Sequence, residues 1–149
     1  MGRMILGVVV GYVIMAGLIF AGLSAAYLAM GADRVFAPAS YEVSALWLIT
    51  NITISSLAAF VGCFAAGMIA RRSKAALVLC AIMLVLGLGM AVGQMVASKP
   101  DPGPRTGDVP NLEAMMKARQ PTWYMFAIPI VGGATAVVAA SVLRKRLGA

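Results

Sequence analysis

Four stretches of this chain are long, apolar and without charge, and they restrict the fold more than any other feature. They run from about Met4 to Met30, Val43 to Ala70, Ala75 to Ala97 and Thr122 to Leu143, and none contains Asp, Glu, Lys or Arg. Crossing about 30 Å of hydrocarbon takes roughly 20 residues of helix, so each run is long enough to span a bilayer. In lipid every backbone N–H and C=O must find its partner within the segment, which predicts helices. The expected fold is therefore an all-α membrane protein. It is a four-span antiparallel bundle in one domain over 1–149, with an outer connection over 98–121. Pro129 predicts a local kink in the fourth span.

The first run has features of a signal peptide, with Arg3 ahead of it and small residues in "LSAAYLA". It is about twice the length of an ordinary h-region, so it is read as a retained span.

The charges give the expected topology. Arg3, Arg71, Arg72, Lys74, Arg144, Lys145 and Arg146 fall on one side of the spans, with no acid among them. Asp33, Arg34, Glu42, Lys99, Asp101, Arg105, Asp108, Glu113, Lys117 and Arg119 fall on the other and cancel. The formal charge of +7 thus belongs wholly to one face. By the positive-inside rule that face is cytoplasmic, with both termini inside the plasma (inner) membrane. Topology and anionic lipid account for the basic face, so no nucleic-acid partner is expected. Tyr27, Phe36, Tyr41, Trp47, Trp123, Tyr124 and Phe126 collect at the outer ends, where an interfacial aromatic belt is expected. At the first connection, Gly31 reads as the C-cap of the first span and Ser40 as the N-cap of the second.

The outer connection divides in two. "KPDPGPRTGDVP" is barred from helix by Pro100, Pro102, Pro104 and Pro110. "NLEAMMKARQ" predicts a short amphipathic helix capped by Asp108 or Asn111, with Pro121 ending it. Leu112, Met115 and Met116 share one face of this helix, and Glu113 and Lys117 form an i, i+4 pair. The helix should lie flat at the outer headgroup level. Asp33, Arg34 and Glu42 face the same side, with Arg105 and Arg119 within reach as ion partners. Together with the Leu112, Met115 and Met116 face they form a candidate docking surface.

Helices in lipid associate through small residues and polar contacts. Gly7-x-x-x-Gly11 and Gly89-x-x-x-Gly93 mark faces for packing within the chain or against another subunit. Gly62, Ala66, Gly132 and Gly133 extend such faces. In the second span Ser44, Leu48, Asn51, Ser55 and Gly62 lie along one stripe. Asn51 is costly in hydrocarbon unless paired. Its expected partner is Gln94 on the third span, either as an interhelical hydrogen bond or as part of a polar lining for a solute or quinone. Cys63 and Cys80 should sit at similar depth, as small packing side chains.

Much chemistry is absent. The chain has no histidine, which removes the commonest general base and the commonest zinc and haem ligand. No span holds an ionisable carboxylate or amine for ion coupling. The 11 methionines show no paired spacing for copper and read as gap-fillers. No cofactor or metal is expected. The sequence is read as a non-catalytic accessory or scaffold subunit of a larger inner-membrane complex, its partners being the bilayer and other membrane subunits or copies of itself. The alternative is a small oligomeric transporter or channel with a polar path along span two. A third reading is an enzyme using Asp33, Glu42 and Glu113.

Overall fold

The computed structural model describes residues 2–97 and 101–147. Lys99 and Pro100, at the head of the proline-rich segment, lie outside the described residues. Six helices follow one another: α1 (Gly2–Met30), α2 (Ala32–Val35), α3 (Ala45–Ala70), α4 (Ser73–Val96), α5 (Asn111–Lys117) and α6 (Thr122–Leu147). Among the described residues there is no strand, only two isolated bridges, Phe36 with Val43 and Glu42 with Arg119. Helices α1, α3, α4 and α6 are each long and apolar enough to cross a membrane. This is the pattern of a multi-pass membrane protein.

Helix α3 touches all three other long helices. Its contact with α1 is the most extensive, and glycines sit where the two backbones cross. A Cβ at Gly7 would lie 2.6 Å from the Ala66 carbonyl oxygen; at Gly11 it would lie 2.6 Å from that of Gly62. Further along α1, Gly22 meets Ile54. Residue numbers thus fall along α3 as they rise along α1. The Gly7/Gly11 face, a candidate for an external partner by sequence, is consumed inside the chain. Such closeness is what dispersion requires where lipid removes any hydrophobic drive between helices. Continuing from this contact toward α4 and α6, Cys63, Ala66, Ala76, Leu79, Cys80, Ala136, Ala139 and Leu143 form a core of mostly small side chains. Both cysteines are buried and free, and the Cys80 thiol donates to the Gly133 carbonyl at 3.6 Å.

Helix ends follow from local chemistry. Gly31, at φ 72°, ends α1 with its N–H on the Tyr27 carbonyl at 2.9 Å. The N-cap of α3 is Ser44, not Ser40: its hydroxyl oxygen accepts from the Trp47 N–H at 3.2 Å. Ser40 instead accepts from the Glu42 N–H at 2.9 Å, making a turn upstream. Arg71 closes α3 in the left-handed region, its N–H and that of Arg72 both reaching the Gly67 carbonyl. That geometry turns the chain into α4 within three residues. Pro129 is accommodated without a break in α6, whose helix runs on from Thr122 to Leu147. The hydroxyls of Thr50, Thr53 and Thr135 each donate to the carbonyl four residues back, at 2.8–2.9 Å. These three hydroxyls are therefore satisfied within their own helices.

The molecule has two unlike ends. At the terminal end lie the start of α1, the α3–α4 turn and the end of α6, with their seven basic residues. At the cap end, the α1–α3 and α4–α6 connections fold onto the helix tips.

Candidate functional site

The cap is a small core in its own right. Tyr27, Ala32, Val35, Phe36, Tyr41, Val43, Trp47, Val109 and Ala114 are buried together. The rings of Tyr27 and Trp47 meet edge to face at 6.3 Å, and those of Phe36 and Tyr41 at 5.7 Å. The aromatic belt expected from sequence is mostly this interior. Trp123 is exposed, but Tyr27, Phe36, Tyr41, Trp47 and Tyr124 are all buried. Each such ring removed from water contributes on the order of 2 kcal/mol. A cluster of aromatic residues near helix tips fits either outcome by composition; only the second connection folding back over them decides it.

Backbone hydrogen bonds stitch the two connections together. The Arg119 N–H donates to the Tyr41 carbonyl at 2.9 Å and the Val43 N–H to the Arg119 carbonyl at 3.1 Å. The Arg105 N–H donates to the Ala39 carbonyl at 3.2 Å. Side chains add to this: the Tyr27 hydroxyl donates to the Val109 carbonyl. Asn111 donates to the Ser24 hydroxyl at 3.0 Å, and the Tyr124 hydroxyl to the Leu48 carbonyl at 3.2 Å.

Arg105 is the one charged side chain buried among the described residues. Its guanidinium donates to Asp33 at 2.6 Å and to the Gly107 carbonyl at 2.8 Å, while its Nε has no partner among the described residues. Sequence singled out Asp33 and gave Arg105 as a possible partner, without signalling the burial. Arg119 reaches Asp101 at 3.6 Å. Glu113 and Lys117 make the expected pair at 2.6 Å, and that hydrogen bond raises the Lys117 ammonium above its usual range.

The second connection differs from expectation in detail. Helix α5 stops at Lys117 and not at Gln120, because Arg119 is drawn into the bridge with Glu42. Pro110 stands at its N-cap, and neither Asp108 nor Asn111 caps it. Ala114 is the residue it buries, while Leu112, Met115 and Met116 are exposed. Arg34 and Glu42 are exposed on the same end.

Between α1, α3 and α5 the cap leaves a cavity of about 110 Å³, open on one side. Tyr27, Phe36, Trp47, Ala114 and Met115 supply apolar walls; Asn51, Asn111 and Gln120 supply amides. Asn51, only 8% exposed, makes its hydrogen bond within α3: its carboxamide oxygen accepts from the Ser55 hydroxyl at 3.0 Å. Gln94, the partner expected from sequence, lies on α4 and is not among the residues that line the cavity. The crevice at Ser55 and Ser56, against Ile128 and Val131 of α6, has no volume that a water enters. Among the described residues no three His, Cys, Asp or Glu side chains gather as metal ligands would.

The Gly89 and Gly93 face has the opposite fate to Gly7 and Gly11. A Cβ at either position would meet nothing within 4 Å, and Val85, Leu86, Met90 and Val92 around them are exposed.

Comparison with known protein families, with curated proteins and with solved structures gives no match.

Proposed function

We propose that this chain is a non-catalytic accessory or scaffold subunit of a larger inner-membrane complex. In this reading it is a four-span antiparallel bundle with both termini cytoplasmic. The cap lies on the outer side, with α5 as a short amphipathic helix at headgroup level. The carrying observation is the contrast between glycines. Where helices of the chain cross, Gly7, Gly11, Gly22, Gly62 and Gly67 are filled by neighbours; Gly89 and Gly93, one turn apart on α4, face open space. Gly2, Gly17 and Gly132 are open too, but none has a second glycine a turn away. A glycine pair costs helix stability and admits close approach of another backbone. On α4 no helix of this chain uses that approach. The exposed Leu112, Met115 and Met116 beside Asp33, Arg34 and Glu42 offer a second surface, at the level of a partner's outer loops.

The orientation rests on the basic residues at the terminal end. Single cysteines at Ser73 and Thr106, in a background with Cys63 and Cys80 replaced by Ala, test it in intact cells. A membrane-impermeant maleimide should label the second and spare the first.

Native mass spectrometry of the protein, gently extracted from its own membrane, tests the function. A complex of fixed stoichiometry with other chains is expected. Gly89→Leu and Gly93→Leu should each release the partner without lowering the melting temperature of the isolated chain. Recovery of this chain alone, or only with copies of itself, overturns the reading.

A further inference from the structure

We infer that the cavity beneath the cap is a binding site for the head ring of a neutral, lipid-soluble carbonyl compound of the quinone class. This is independent of the subunit reading above.

An asparagine amide has one acceptor oxygen and two N–H donors. The oxygen is taken by Ser55 at 3.0 Å. The nitrogen donates in no hydrogen bond seen among the described residues. Among the described residues the Arg105 Nε is the one fully enclosed side-chain atom without a partner, so the Asn51 nitrogen is not fully enclosed. Those donors therefore open into the space that Asn51 lines. A side chain nine-tenths buried has its donors aimed into a cavity, so an occupant must present an oxygen acceptor there. The Gln120 amide, also on the wall, has no partner among the described residues and supplies a second polar contact.

The walls then limit the body that carries this oxygen. Tyr27, Phe36 and Trp47 are aromatic, and Leu23, Val35, Ala114, Met115 and Ala118 are apolar. Neither a carboxylate nor a cation lines the cavity, so a charged group finds no counterion and the occupant is neutral. A space of about 110 Å³ is on the scale that accommodates one six-membered ring. The open side leaves room for substituents or a tail.

Depth fixes the route of entry. Asn51 lies six residues into α3, hence about 9 Å below that helix's start. The cavity is thus at the boundary between headgroups and acyl chains, where the polar end of an amphipathic lipid resides. A flat ring with carbonyl oxygens and an apolar tail satisfies the donors, the walls and the depth together.

The test uses the protein in lipid nanodiscs, and its intrinsic reporter. The chain has two tryptophans: Trp47 on the cavity wall and Trp123, exposed on α6. In a Trp123→Phe background, tetramethyl-1,4-benzoquinone should quench Trp47 saturably. In the Trp47→Phe counterpart, quenching of Trp123 should rise linearly, as collisions in lipid do. Asn51→Leu should weaken saturation roughly tenfold, the effect of one lost hydrogen bond and its stranded partner. Ala118→Leu, which fills the wall and leaves Asn51 in place, should abolish saturation. Tetramethylbenzene, the same ring without oxygens, should not compete. Linear quenching of Trp47, saturation indifferent to both substitutions, or equal competition by tetramethylbenzene would each overturn the assignment. The first of these results would leave ordered water as the occupant.

Discussion

At the terminal end, Gly7 and Gly11 bring α1 onto α3 so closely that a single added carbon would strike backbone oxygen at 2.6 Å. At the cap end the same two helices are joined by bulk instead, Tyr27 against Trp47 at 6.3 Å, beneath a folded-back connection. The difference follows from the surroundings. Within hydrocarbon, burying a large apolar side chain gains nothing over leaving it in lipid, so contact relies on shape. Where water begins, aromatic burial regains its hydrophobic value, and backbone groups need the partners that the cap provides.

The largest expected effect tests that distinction directly. Gly11→Leu drives a side chain into the Gly62 carbonyl, the Ala66 methyl and Leu79. Neither the backbone nor the buried Leu79 yields cheaply, so a loss of about 3 kcal/mol is expected, seen as unfolding at low SDS fraction by circular dichroism. Gly89→Leu, with nothing within 4 Å, should not move the same curve to lower SDS fraction. If both variants unfold alike, shape-limited packing is not what separates the two glycine pairs.

The sequence made some of this legible and hid the rest for definite reasons. Charge-free apolar runs fix helix length through the bilayer's thickness, so the long helices appear within a few residues of where expected: α4 begins at Ser73 rather than Ala75, and α6 runs to Leu147 rather than Leu143. The Arg/Lys flanks are tolerated in helix as readily as apolar residues, so polarity alone misplaces helix ends. GxxxG spacing marks a face but carries no information about which helix occupies it; Gly7/Gly11 and Gly89/Gly93 read alike and fare differently. The cap was the least legible part. Arg105 sits among prolines and glycines without periodicity, and its burial depends on Asp33, 72 positions away. Asn51 and Ser55 share a stripe at i, i+4 spacing, which the sequence shows, and the hydrogen bond between them follows from that spacing.

Smaller changes dissect the cap. Tyr27→Phe leaves the Val109 carbonyl buried without its donor. That should cost about 2 kcal/mol, and a midpoint shift in the same SDS titration should show it. The terminal end should respond less to any one polar deletion, since its contacts are apolar. Asp33→Asn comes next. It removes charge opposite the buried Arg105 guanidinium, but Asp33 is itself 85% exposed. Water compensates much of the loss, and about 1 kcal/mol is expected. Raising salt to 1 M should erode the wild-type advantage over this variant. A pair that resists salt would place the carboxylate in a drier setting than its exposure implies.

The smallest effect concerns backbone rather than side chains. Ala39 at the cap and Arg71 at the terminal end both have φ 52°, a region that costs a residue with a Cβ roughly 1–2 kcal/mol. Glycine removes that cost and gives back about 0.5–1 kcal/mol through the freedom it adds to the unfolded chain. Ala39→Gly should therefore raise stability by about 0.5 kcal/mol, a gain of roughly 1–2 °C for a chain of this size. Arg71→Gly should gain the same from its backbone. Left-handed strain is settled by the residue's own Cβ and carbonyl, and is blind to whether lipid, water or a neighbouring helix surrounds it. Equal gains at the two positions would confine the contrast between the ends to side-chain packing. A gain at Ala39 alone would mean that the tight α3–α4 turn holds Arg71 in place by more than its backbone, through the anchoring of its charge at the basic face.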